Sequence, residues 1–234
     1  MSTTSNNTSP NSRWKDLYKA AGIAAIISEF VIILGLVTYF IWPYAPRTQS
    51  TETILLNLQS NTLGTLISLD LFLFIGNLFS ILLFLALYVS LMQVSESYAL
   101  IALAVGLIAV GFLVHARPLL ELYTLSGKYA AATTEIVKSR YLTVGEALLA
   151  NFDGVGWFLN TLLGGLSLLV SSILMLRSDI YRKSTAYVGI VSNVAVCSFF
   201  IPVVGIFLLF LSVPGYAIWY FLLAKRFFQL GRET

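Results

Sequence analysis

The chain has 234 residues, of which 58% are hydrophobic and 11% charged, with a formal net charge of +3. A soluble domain usually carries about 25% charged residues, so half that content, joined to several apolar runs near 20 residues, excludes an ordinary soluble fold and points to an all-α integral membrane bundle. A single histidine, His115, rules out a multi-histidine zinc site, a single cysteine, Cys197, rules out an internal disulfide, and the small excess of basic residues lies at helix ends, where it reads as topology rather than nucleic-acid binding.

In chain order, residues 1–12 are rich in Ser, Thr and Asn with no apolar pattern, and read as a disordered polar tail. Residues 13–234 read as one six-helix transmembrane domain. The first span is expected over 17–42. Its apolar run is too long for the core of a signal peptide, so it is expected to be retained. Trp14 stands at one interface and Tyr39, Trp42 and Tyr44 at the other, and Pro43 and Pro46 stop the helix. Glu29 sits near its middle. It reads either as a proton or cation ligand, or as a neutral carboxyl held by a neighbouring helix.

Residues 47–62 read as a polar loop whose Ile54-Leu55-Leu56 patch rests on the membrane surface. The second span is expected over 63–92, with Asp70, Asn77 and Tyr88 on one face. A short polar link joins it to a third span over 97–118, so the two should be antiparallel neighbours. His115 and Arg117 close the third span. As interfacial anchors they snorkel to headgroups. The other reading turns Arg117 inward to neutralise Asp70 or Asp153.

The stretch 127–140 has the makings of a short surface helix. The fourth span is expected over 143–176, opened by a capping box, Thr143-Val-Gly-Glu146. Glu146, Asp153 and Asn160 follow at i, i+7, i+14, and Gly164, Ser167 and Ser171 fall close to the same line at ~100° per residue. A basic loop, 177–183, leads to a fifth span over 184–201. A turn at 202–205 leads to a sixth over 205–228, with a kink expected at Pro214.

Nine of the fourteen Lys and Arg lie in the N-terminal segment, the 177–183 loop and the C-terminal end. With six spans this predicts a cell-membrane protein with both termini in the cytoplasm. Asp70 and Asp153 would then both sit ~10–15 Å below the outer boundary. Each is followed seven residues later by an asparagine, Asn77 and Asn160. If the two faces meet, they form an outward pocket of two carboxylates above two amides, with Arg117 and Glu29 nearby.

Three readings follow. The pocket binds or transports a small cation, a proton or an amphiphile. Alternatively the stripe only packs helices, in a structural or accessory subunit. The third reading is a membrane enzyme acting on a lipid. A G-x-G-D aspartyl-protease context, a G-x-S-x-G elbow and the nucleotide-binding fingerprints are all absent, so no catalytic residue and no cofactor are assigned. The expected partner is the lipid bilayer.

Three stretches carry a resemblance: GNLFSILLFLALYVSLMQVSESYALIAL over 76–103, LMLRSDIYRKSTAYVG over 174–189, and PGYAIWYFLLAK over 214–225. Together they resemble the prokaryotic multi-pass membrane family catalogued as domain of unknown function number forty-three eighty-six. A Leu-Tyr pair closes the second span, an Arg-Ser then basic then aliphatic-Gly run opens the fifth, and a Trp-containing last span has a basic end. The resemblance implies a membrane bundle of six or so helices and transfers no catalytic residue.

Overall fold

Backbone breaks, more than loops, organise this chain. The structure is a computed structural model that describes residues 13–38 and 40–232. The polar tail over 1–12 and Tyr39 therefore lie outside the described residues. Those described are all-helical with no strand. The helices are α1 (Lys15–Thr38), α2 (Ala45–Thr48), α3 (Thr51–Ser60), α4 (Thr62–Ser68), α5 (Leu71–Leu91), α6 (Glu96–Ala116), α7 (Leu119–Ala130), α8 (Glu135–Ala150), α9 (Val155–Leu176), α10 (Lys183–Cys197) and α11 (Val204–Leu230).

Five helical stretches are long and apolar enough to cross a membrane: Lys15–Thr38, Leu71–Leu91, Glu96–Ala130, Glu135–Leu176 and Phe207–Leu230. At 1.5 Å per residue even the 21 residues of α5 reach ~30 Å, the thickness of a hydrocarbon core. The fifth expected span, 184–201, appears as the 15 residues of α10 continued by a 3-10 turn over Ser198–Phe200. Alone, α10 is only ~22 Å long. Pro214 lies inside α11, which runs on through it.

Two expected spans are interrupted. The second is divided into α4 and α5 at Leu69-Asp70, where Asp70 takes a left-handed φ of 67°. The fourth is divided into α8 and α9 by a 3-10 turn, Asn151–Asp153, and an extended Gly154. Glu146, Asp153 and Asn160 consequently do not share one helical face. Nor does Thr143 open a helix. It lies inside α8, whose N-cap is Thr134, accepting from the Val137 N–H, and Glu146 is exposed.

The polar connections are also more ordered than a loop reading allows. Ser50 caps α3 by accepting from the Thr53 N–H, and Asn61 caps α4 by accepting from the Gly64 N–H. Of the Ile54-Leu55-Leu56 patch expected on the membrane surface, two residues face protein instead. Ile54, Leu55 and Leu58 are fully buried in a cluster with Leu119, Leu122 and Leu125 of α7, although Leu56 is exposed. Burial of each such side chain favours folding by about 1.5–3 kcal/mol, so α3, α7 and α8 form a packed layer. The surface helix expected over 127–140 is broken, because residues 131–134 are the turn between α7 and α8.

The chain divides into two compact units. The first comprises residues 1–29, 79–107 and 165–234, and the second 30–78 and 108–164. In the first, α1 and α11 run antiparallel: Tyr18 stacks on Phe227 with ring centroids 6.1 Å apart, and Gly22 lies against Phe228. The Ser90 and Tyr181 hydroxyls make a buried contact there, and the Tyr216 hydroxyl donates to Asn193 Oδ1 in a half-buried one. The second unit holds the three breaks described next.

Candidate functional site

Residue 117 precedes a proline. Pro118 has no N–H to continue α6 and disfavours helical backbone at the residue before it. So α6 stops at Ala116, and Arg117 stands in the gap before α7. In a membrane-embedded segment the backbone groups freed by such a break need partners. The Arg117 guanidinium supplies them. Its Nη1 donates to the Ala116 carbonyl at 3.1 Å and to the Phe152 carbonyl at 2.9 Å, and its Nε donates to Asp70 Oδ2 at 2.8 Å.

This one side chain therefore joins three breaks, at 69–70, 117–118 and 151–154. Arg117 and Asp70 are only 3% and 4% exposed. Arg117 Cζ also lies 4.9 Å from the Phe152 ring centroid and 5.2 Å from that of Trp157, within cation–π range of both. The anchor expected at headgroup level is thus a buried hub. His115, two residues earlier, is exposed.

Asp70 closes the pair from the opposite side. Its carbonyl accepts from the Phe74 N–H at 2.9 Å, so it stands at the N-terminus of α5, where a carboxylate is favoured by the helix dipole. Aspartate is also among the few non-glycine residues that tolerate left-handed backbone.

Asp153 does not meet Asp70's partner. Its carboxylate takes two hydrogen bonds from Arg47, Nη2 to Oδ1 at 2.7 Å and Nε to Oδ2 at 3.2 Å. The side chains of this outer pair are 68% and 51% exposed. Tyr44 and Phe152 lie between the outer and inner pairs. The Tyr44 ring is 5.7 Å from Arg47 Cζ and 6.4 Å from the Phe152 ring. Burial, with Asp70 next in effect, pushes the Tyr44 hydroxyl well above its usual range, so it stays neutral. Tyr44 is therefore part of the packing here rather than a simple interfacial anchor.

The two asparagines do come together. Asn160 Nδ2 donates to Asn77 Oδ1 at 3.2 Å and to the Ala109 carbonyl at 2.9 Å, and Asn77 Nδ2 donates to the Val110 carbonyl at 3.2 Å. Each amide thus donates to an α6 backbone carbonyl, and the two amides bond to each other. Nearby, a Cβ added at Gly156 would lie 2.9 Å from both the Phe112 carbonyl oxygen and Ala116 Cβ, so the missing side chain lets α9 approach α6 closely.

Glu29 belongs to the first unit. Both its carboxylate oxygens are shielded from the surface and have no hydrogen-bond partner among the described residues. Of the six residues proposed from sequence, then, Asp70 with Arg117 and Asn77 with Asn160 form two buried or half-buried pairs. Asp153 pairs elsewhere.

A cavity of about 160 Å³ opens beside the hub, lined by Asp70, Trp157, Ile32, Leu36, Ile67 and Leu73 among others. Asp70 is the one charged residue among the described residues that line it. Sequence reasoning missed Arg47, Tyr44, Phe152 and Trp157. The available signals were Pro118 immediately after an arginine and the Asp153-Gly154 pair inside an apolar run. Among the described residues, no group of three or more His, Cys, Asp or Glu is placed to hold a metal ion.

A sequence model of the family described as "Domain of unknown function (DUF4386)" matches residues 17–225. No curated protein matches the chain. No solved structure matches it.

Proposed function

The chain belongs to the DUF4386 family, whose description assigns no activity, and for this member we propose binding of a small amphiphile in the cavity beside the Asp70–Arg117 pair. The observation that carries this reading is the cavity's chemistry: aliphatic and aromatic walls with one ion-paired carboxylate at the edge. Such a wall suits an apolar body with one polar group that can reach Asp70, and Trp157 offers a ring face to a cationic head. Interrupted membrane helices are a common way to expose polar groups to a ligand within an apolar layer. Because Arg117 already neutralises Asp70, a bare inorganic cation would have to displace a guanidinium. That disfavours the ion reading relative to the amphiphile.

The nine basic residues in the N-terminal segment, the 177–183 loop and the C-terminal end support termini on the cytoplasmic side of a cell membrane. A second reading, helix packing alone, is favoured for Asn77 and Asn160, which bond to each other and each donate to a backbone carbonyl of α6.

Trp157 reports on the cavity directly. The protein held in amphipol is titrated with a short-chain alkylamine brominated near its end, and tryptophan quenching is compared between wild type and Trp157→Phe. Binding predicts a saturable component lost in Trp157→Phe and in Gly35→Leu, which fills the cavity wall. Quenching that rises without saturation in all three proteins would leave only the packing reading.

A further inference from the structure

The first unit carries nine of the chain's fourteen Lys and Arg. Part of that charge borders an apolar groove between α1 and α11. The groove is about 340 Å³ and is lined by Ile26 of α1 and, from the end of α11 onward, by Phe221, Lys225, Phe228, Gln229 and Arg232, with Ala224 beneath. The α11 residues 221, 225, 228 and 229 recur at offsets of four, three and one, and Arg232 follows in the turn after the helix. That pattern keeps the four on one side of a 3.6-residue helix.

The lining is graded along the helix. Phe221 is 66% exposed and Ile26 49% exposed, so the apolar end is open rather than packed shut. Lys225, Gln229 and Arg232 are also exposed and occupy the end nearest the C-terminus. Gln229 Oε1 accepts from Arg226 Nη1 at 3.2 Å, so what Gln229 offers a ligand is its N–H donors. The polar end thus presents two cations and an amide donor, and among the described residues no carboxylate lines it.

We propose that this groove is a binding site for one anionic phospholipid. An acyl chain lies along Ile26, Phe221 and Phe228, and the phosphate is held by Lys225, Gln229 and Arg232. The argument is charge complementarity joined to a graded apolar surface on a helix long and apolar enough to cross a membrane. Basic pockets between membrane helices select acidic headgroups, whereas a zwitterionic headgroup gains little from two added cations. The site lies wholly in the first unit and is independent of the cavity beside Asp70.

The test uses the intact protein in detergent and counts bound lipid by native mass spectrometry. The probes are phosphatidylglycerol and phosphatidylcholine with identical acyl chains. Lys225→Gln/Arg232→Gln is expected to weaken apparent phosphatidylglycerol affinity about 25-fold, the loss of two charge contacts, and to leave phosphatidylcholine unchanged. Arg177→Gln/Arg182→Gln removes the same charge from exposed positions outside the groove and should leave affinity within about twofold. The single changes Lys225→Gln and Arg232→Gln, each expected to weaken affinity about fivefold, serve if the pair fails to fold. Equal losses in the groove and control pairs would mean a diffuse basic field and overturn the site. Competition by inorganic phosphate at the lipid's own concentration would overturn the assignment to a lipid.

Discussion

Arg117 Nε lies 2.8 Å from Asp70 Oδ2, with both residues almost wholly buried, and the same guanidinium donates to carbonyls at two helix ends. The ion pair is thus also the joint of three interrupted helices. A buried pair is not automatically stabilising, since desolvation offsets much of the attraction. Here Nη1 of the same guanidinium meets two carbonyls, of Ala116 and Phe152, at the breaks.

Removing either member strands the other. Arg117→Ala and Asp70→Ala should each lower stability by about 3–5 kcal/mol, and Asp70→Leu/Arg117→Leu should lose less than the sum of the two single changes. Unfolding in detergent measures this. A loss under about 1 kcal/mol for Arg117→Ala would mean that the pair behaves like a surface bridge.

The outer pair should behave differently. Arg47 and Asp153 are more than half exposed, so Arg47→Gln or Asp153→Asn is expected to change stability by less than about 1 kcal/mol. What little there is should vanish at high salt. A salt-independent loss comparable to that of Arg117→Ala would contradict the exposed geometry.

Asn160→Leu removes two interhelical hydrogen bonds at once, to Asn77 and to the Ala109 carbonyl. Interhelical hydrogen bonds in a measured membrane protein average ~0.6 kcal/mol and reach ~1.7. A loss of about 1–2 kcal/mol in a melting experiment, with Trp157 quenching intact, is the expected result. Lost quenching at unchanged stability would move Asn160 into the ligand site.

Two glycines should respond oppositely to the same change. At Gly156 a Cβ meets the Phe112 carbonyl and Ala116, so Gly156→Ala is expected to destabilise by about 1–3 kcal/mol. At Gly111 of α6 nothing lies within 4 Å, and Gly111→Ala should stabilise by up to about 1 kcal/mol through helix propensity. Melting temperatures shifting in the same direction would count against the close approach of α9 to α6.

How much of this was visible in the sequence depends on the kind of signal. Apolar length marked where the helices lie, because a bilayer fixes the run required. The family resemblance rested on local patterns, and the match over 17–225 places the chain in that family. The repeated spacing of an acid and an asparagine drew attention to residues 70, 77, 153 and 160, and the structure does bring Asn77 and Asn160 together. The breaks escaped notice because Leu69-Asp70 and Phe152-Asp153-Gly154 interrupt the backbone without interrupting apolar composition. Helical offsets counted across them lose their meaning, which is why Asp153 left the face shared with Asn160. The Arg47–Asp153 pair spans 106 residues of sequence, and no local pattern encodes such a contact. Burial of Ile54 and Leu58 likewise required a partner, α7, whose apolar face is set in a stretch that reads as polar.

Hydrogen–deuterium exchange in Arg117→Gln tests the hub most directly. Three amides report on the three breaks: Phe74 N–H, bonded to the Asp70 carbonyl, Leu122 N–H, bonded to that of Pro118, and Gly154 N–H, bonded to that of Asn151. If Arg117 holds the breaks together, exchange should rise in the peptides carrying all three. A rise confined to the peptide around residue 117, with Phe74 and Gly154 as protected as in wild type, would contradict it.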